Sequence, residues 1–215
     1  CTVVESSDKA LVCDIVFDSV SVAQKLSGGQ WITDVTLDGA TYTDRYTLPR
    51  LPVTSVLFGV PADGQVRLSL LSEESTTKSS GFLRMADKPV YNVVDSEGHE
   101  QAALPLAELE GWYPARTVEL GMDGMFRSQR FVQVYLRPVR YASRQQSLQI
   151  VRKLRLRLDF ESGGAAAVAA SGWTRSASAE PAAVEAQLAS TLANYEESRK
   201  WRVDAAGESA LAKIG

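Results

Sequence analysis

One histidine and two cysteines in 215 residues exclude most catalytic and metal chemistry before any pattern is read. Structural zinc takes about four Cys/His ligands at short paired spacings, which Cys1, Cys13 and His99 cannot supply. A Cys–His or Ser–His nucleophile would have to be built on His99. That residue stands in the polar, turn-forming run Asp95-Ser96-Glu97-Gly98-His99-Glu100, the setting of a solvated loop histidine. Neither a phosphate-cradling glycine loop nor a dinucleotide fingerprint is present. No metal or cofactor is expected, and this segment alone is not expected to be an enzyme.

Long apolar runs are missing too: nothing approaches the roughly 18 consecutive residues that cross a bilayer as a helix. The chain opens on Cys1 with no charged region leading into an apolar stretch, and reads as a processed chain or an excised segment. If its route is oxidising, Cys1 and Cys13 could pair. Equally, Cys13 could be a free thiol facing the core, with Cys1 a terminal residue or one that carries a lipid.

What is present suits a folded domain: 45% apolar residues, 23% charged and a net charge of -3. The charge is uneven. Between Gly121 and Phe160 nine Lys/Arg stand against two acids. Lys153, Arg155 and Arg157 are outward positions of one strand, and aromatic residues are not interleaved with them as in single-strand binders. A solvated sheet face is expected there, not a nucleic-acid footprint.

Alternation with period two dominates the first three quarters of the chain. Leu11, Cys13, Ile15 and Phe17 point one way, with Asp14 and Asp18 on the other side. Trp31, Thr33, Val35 and Leu37 are read as inward, against Asp34, Thr36 and Asp38. Asp38-Gly39 reads as a hairpin turn. Val53 to Val60 is a short apolar run closed by Pro61-Ala62-Asp63-Gly64, after which Val66, Leu68 and Leu70 alternate with Arg67 and Ser69. Residues 75–111 show little periodicity, and a stretch that long without regular structure is often functional. Strands resume at 116–120, 131–136 and 148–160, the last with Leu154, Leu156, Leu158 and Phe160 inward. Many short strands with turn signals between them predict an all-β fold, an antiparallel, jelly-roll-like β-sandwich over residues 1–161. A flexible Gly/Ala/Ser linker is expected over 162–180. A single C-terminal helix should follow over 181–199, with Pro181 in its first turn and Val184, Leu188, Leu192 and Tyr195 as one apolar stripe.

Four pieces, in order, resemble the N-terminal propeptide of the gingipain family of cysteine peptidases (peptidase family C25). The most specific is WYPARTVELGMDGMFRSQRFVQVYLRPVRYASRQQSLQIVRKLRLRLDF, Trp112 to Phe160, with its aromatic-Tyr-Pro opening, Arg-bearing turn and Pro138-to-Tyr141 corner. Leu48-Pro49-Arg50-Leu51-Pro52 is similar to the segment that opens a strand in that family, and Val53 to Ser72 resembles the strand-turn-strand that follows. Asn194-Tyr195-Glu196-Glu197-Ser198-Arg199 looks like the propeptide's last helix running into its maturation site.

The resemblance implies a secreted or cell-surface precursor that passes through the periplasm and meets the outer-membrane secretion machinery. In it, this domain would hold the cognate mature cysteine peptidase domain latent and help it fold. One long loop of the sandwich would enter the active-site cleft, and the stretch 75–111 lies at the matching place. From Pro89 to Tyr113 it holds no Lys or Arg, so the candidates to plug or cover the cleft are Asn92, Asp95, Glu97, His99 and Glu100. Arg199 and Arg202 are the candidate cleavage points, and residues 200–215 would begin the mature region. The alternative is a carbohydrate-binding or adhesive sandwich presenting Trp31, Trp112, Tyr113 and Trp173; an exposed aromatic row would favour it, and buried rings the propeptide.

Overall fold

Strands form where the sequence alternates most regularly, and the longest of them organises the rest. The computed structural model describes residues 1–45, 48–86, 111–161, 173–175 and 180–205. In chain order the first strands are β1 (Thr2–Ser6), β2 (Ala10–Val16), β3 (Ser21–Ser27), β4 (Gln30–Thr36) and β5 (Thr41–Tyr42). Next come β6 (Pro52–Gly59), β7 (Gln65–Ser79), β8 (Phe82–Leu83), β9 (Trp112–Tyr113) and β10 (Val118–Phe126). The series closes with β11 (Gln129–Leu136), β12 (Val139–Ala142), β13 (Ser147–Glu161), β14 (Trp173–Arg175) and β15 (Val203–Ala205). Among the described residues two short helices, α1 (Ala182–Thr191) and α2 (Tyr195–Ser198), precede β15, and a 3-10 turn, Arg199–Trp201, follows α2 directly.

β13 carries β7 along one whole edge. Its other edge is shared by β2, paired with Lys153–Asp159, and β12, paired with Ser147–Ile150. β1 extends this sheet beyond β2, and β9 extends it beyond β12. A second antiparallel sheet runs β10-β11-β6-β5. Between the two lies the main core, with Leu11, Cys13, Ile15, Leu154, Leu156 and Leu158 from one side and Phe58, Val132, Val134 and Leu136 from the other. The inward reading of 11, 13, 15, 17 and of 154, 156, 158, 160 therefore matches burial, since all eight are at most 7% exposed. The sandwich is antiparallel and all-β, as its alternation predicts.

Three local expectations need correction. Trp31 is 61% exposed because it sits near the end of β4, beyond the core that buries Thr33 and Val35 on the same face. Asp34, read as outward, is 8% exposed; its face of β4 is covered by the basic side chains described below. Asp38-Gly39 does form a tight turn, with Gly39 at φ +70° and the Ala40 N–H donating to the Leu37 carbonyl. It joins no hairpin, however: β4 pairs with β3 and β5 with β6, so the turn carries the chain between sheets.

Cys13 is a buried free thiol on the core face, and Cys1 is exposed and free. Desolvation pushes the Cys13 thiol up to about 12, so it packs as a small apolar group and not as a nucleophile.

Candidate functional site

The stretch 75–111, expected to lack regular structure, instead begins as ladder. β7 runs on to Ser79 through polar residues with no apolar face, because its partner β13 is equally long and supplies a hydrogen-bonding edge throughout. β8 then pairs in parallel with β4. Residues 87–110 are outside the described residues, and with them Asn92, Asp95, Glu97, His99 and Glu100.

Both ends of that segment start from a built base. On the entering side the Arg84 N–H donates to the Thr33 carbonyl at 3.0 Å, the Arg50 N–H to the Arg84 carbonyl at 2.8 Å, and the Ala86 N–H to the Leu48 carbonyl at 2.9 Å. Pro49 and Met85 form an isolated bridge, and the Thr33 hydroxyl donates to the Ser80 carbonyl. Leu48-Pro49-Arg50-Leu51-Pro52 thus does more than open β6: Leu48 and Leu51 are buried, and the backbone between them receives the incoming chain. The Asp34 carboxylate lies 3.6 Å from Lys25, 3.9 Å from Arg50 and 4.0 Å from Arg84, a loose cationic ring around one buried charge. The Arg50 guanidinium also stacks 3.4 Å from the centre of the Tyr42 ring.

On the leaving side Gly111 turns with φ +77°, and Trp112 and Tyr113 pair with Ala142 and Tyr141 of β12. Arg140 donates to the carbonyls of Pro114 and Ala115, each at 3.0 Å, and lies 5.7 Å from the Trp112 ring centre. Beneath both ends a second core packs Val35, Leu51, Leu83, Val139, Tyr141, Leu148 and Ile150. Next to the leaving strand an open groove of about 750 Å³ is lined by Thr43, Asp44, Tyr113, Arg116, Glu119 and Arg137, among others. Burial pushes the Tyr113 phenol up there.

The second region is the carboxyl-terminal segment. The single helix expected over 181–199 is broken: α1 stops at Thr191, and Leu192 is extended. The break lets Leu192 bridge Leu57, with the Ala193 N–H donating to the Leu57 carbonyl at 2.9 Å. This covers the edge of β6 that the two-residue β5 leaves open. Asn194 then reads the backbone of Gly59 from both sides: its Oδ1 accepts from the Gly59 N–H at 2.8 Å, and its Nδ2 donates to the Gly59 carbonyl at 2.9 Å. A β-carbon on Gly59 would collide with the Ser198 side chain, so glycine is required by close approach at this point. Leu188 and Leu192 of the expected apolar stripe are buried, and with Leu57, Phe126 and Phe131 they line an apolar cavity of about 170 Å³.

Arg199 is exposed and lies 3.4 Å from Glu196. Arg202 is buried, donates to Glu185 at 2.6 Å and lies 5.5 Å from the Tyr195 ring centre. The Tyr195 hydroxyl donates to the same carboxylate. Held first by Arg202 and then by Tyr195, the Glu185 carboxyl falls to about 2. Trp201 is buried edge-on against Phe160, with ring centres 5.1 Å apart. Docking of Trp201 is a feature that pattern reading missed. A lone tryptophan between charged residues, in a stretch expected to begin the mature region, gives no periodic signal.

The basic cluster is largely neutralised in place. Arg130 pairs with Asp123, Arg137 with Glu119, Lys153 and Arg155 with Asp14, and Arg157 with Asp159. Arg155 and Lys153 hold the Asp14 carboxyl well below the usual carboxylate range. The tryptophans form no row among the described residues: Trp201 is buried, Trp112 half-buried and Trp31 exposed opposite Leu26. No group of three or more His, Cys, Asp or Glu among the described residues could hold a metal ion. No described helix is long and apolar enough to cross a membrane.

A family model described as Propeptide_C25 matches residues 10–201. Among solved structures, the complex of Porphyromonas gingivalis RgpB pro- and mature domains contains a similar chain, with a TM-score of 0.68 and 13% identity, covering 91% of this chain and 97% of that one. A structure concerned with the zymogenic latency of gingipain K from Porphyromonas gingivalis is similar with a TM-score of 0.57 and 19% identity, covering 75% of this chain and 92% of that one. No curated protein matches.

Proposed function

The chain belongs to the propeptide family of the C25 peptidases, and on that premise we propose that it keeps a gingipain-like cysteine peptidase latent and assists its folding. The domain is itself the non-catalytic part of such a precursor. Its partner is the mature peptidase domain of the same precursor, in cis and, after cleavage, in trans. The observation that carries this reading is the family match over residues 10–201. The doubly anchored base at Arg84–Ala86 and Gly111–Tyr113 supports it further, since a segment entering a cleft needs rigid ends to be pre-organised.

In this reading a side chain of the anchored segment, from among Asn92, Asp95, Glu97, His99 and Glu100, covers or plugs the cleft. Cleavage after Arg199 or Arg202 releases the enzyme. Folding assistance follows from linkage: a domain that binds only the folded peptidase stabilises it by RT ln(1 + [L]/Kd), and a covalent tether raises the effective concentration. Export to the cell surface through the periplasm and the outer-membrane machinery completes the proposal.

The test is to mix the full chain with the mature peptidase of its own precursor and measure residual activity, then to refold the denatured peptidase with and without the chain. Inhibition close to one-to-one and a higher refolding yield are expected. Unaltered activity together with no binding would overturn the reading.

A further inference from the structure

Arg199 and Arg202 are candidate cleavage points by residue type, yet the structure encloses both bonds in folded chain. Proteases cut exposed, extended segments, and folded ones only through local opening. Ser198 before Arg199 is buried against Gly59, and Trp201 after it is buried on Phe160. The Arg199 carbonyl accepts the Arg202 N–H at 3.4 Å, so the peptide group that would be cut is engaged in the 3-10 turn. Beyond Arg202 the Val203 N–H donates to the Ser128 carbonyl at 3.0 Å, and Val203–Ala205 pairs with Trp173–Arg175. The Ser128 hydroxyl is held in turn by Glu180 at 2.6 Å, just ahead of α1.

We propose that residues 194–205 form a latch whose undocking from β6 and the β10–β11 turn, and not the mere presence of arginine, controls when the bonds after Arg199 and Arg202 can be cut. Its biological meaning rests on the propeptide reading above; its physical content does not.

The latch is built to open without unfolding the sandwich. Its contacts with the sandwich and α1 are mostly single and directional: the Asn194 amide on Gly59, the Arg202–Glu185 pair under Tyr195, the Val203 N–H on Ser128, and the Trp201 indole, which packs on Phe160 and donates to Asp8 at 3.3 Å. Arg202 also carries a built-in cost, because its Nε and Nη2 are buried without a hydrogen-bond partner among the described residues, and an unsatisfied buried donor opposes the docked state. Undocking returns that guanidinium to water. A partner that engages Arg202 or the Glu185 carboxylate would shift the same balance.

The experiment uses trypsin, which cuts after arginine and needs no cognate enzyme, so its outcome is independent of whether the chain inhibits a peptidase. The full 215-residue chain is digested under native conditions beside a synthetic peptide of residues 194–209, and mass spectrometry follows the cuts after Arg199 and Arg202. When opening is fast, the rate follows the open population. The chain should be cut on the order of 100-fold more slowly than the peptide at both bonds, as expected of a docked segment. Glu185→Gln and, separately, Asn194→Ala should each raise the rate at both bonds about tenfold, by increasing the open population, while cuts after Arg155 and Arg157 in β13 stay slow. Two results would overturn the proposal: chain and peptide cut at equal rates, or variants that accelerate cleavage at β13 as much as at the latch, which would make global unfolding the route.

Discussion

The base of the 87–110 segment and the carboxyl-terminal latch are both attached to the sandwich, but by different physics. The base sits on an apolar cluster that includes Leu51, Leu83, Tyr141, Leu148 and Ile150, and its backbone groups are drawn into bridges and ladders on both sides. Past the edge of β6, residues 194–205 hold on mainly through single polar groups, one backbone bond to Ser128 and one tryptophan. Burial of many apolar groups is non-directional and costly to undo at any point, whereas a docking made of a few directional contacts opens when one of them is lost. In a domain proposed to present one segment steadily and give up another on activation, that division of labour is the expected one.

The largest effect should come from the base. Leu148→Ala removes a side chain that is 1% exposed from the cluster beneath it, and should lower global stability by about 2–5 kcal/mol. A urea titration followed by circular dichroism would check this. A loss confined to the 84–86 and 111–113 amides, without a shift of the global midpoint, would erase the contrast with the latch.

Next comes Gly59→Ala, whose added methyl meets the Ser198 side chain. Overpacking of this kind costs about 1–3 kcal/mol. The cost should appear as faster hydrogen exchange at 192–203, with β2 and β13 unchanged.

Acid should act on the same region. The Glu185 carboxyl is depressed to about 2 by Arg202 and Tyr195, so its contribution is full above the ordinary glutamate value of about 4.3. It is lost as pH falls from there through about 2. Exchange at Trp201–Val203 should therefore accelerate across that window, and Glu185→Gln should flatten the dependence. The smallest effect is expected at the exposed Arg199–Glu196 pair, where Glu196→Gln should change global stability by less than about 0.5 kcal/mol in the same urea titration.

The sandwich was legible because its alternating strands are buried on one face. Leu11 to Phe17 and Leu154 to Phe160 carry a period-two signal that packing then honours. Signals that depend on a neighbour were not legible. The polar half of β7, up to Ser79, is a strand because β13 lies beside it, and nothing in Ser-Glu-Glu-Ser-Thr-Thr-Lys-Ser states that a partner exists. Asp34 reads as solvent-facing until Lys25, Arg50 and Arg84 arrive from β3, the Leu-Pro-Arg-Leu-Pro segment and the residue after β8. At the latch, Asn194 meets Gly59 across 135 residues of sequence, and Trp201 meets Phe160 from beyond the stretch expected to be a linker; only the fold brings them together. The family resemblance, carried by ordered motifs and not by composition, was available from the sequence, and the family model matches residues 10–201.

The most direct measurement compares inhibition of the cognate mature peptidase by three versions of the full chain: wild type, a version with residues 89–109 replaced by a short glycine-serine bridge, and Asn194→Ala. Tight inhibition by wild type is expected, with its loss when the anchored segment is shortened and little change when only the latch is loosened. Equal inhibition by wild type and the shortened chain, or none by either, would contradict the role assigned to that segment.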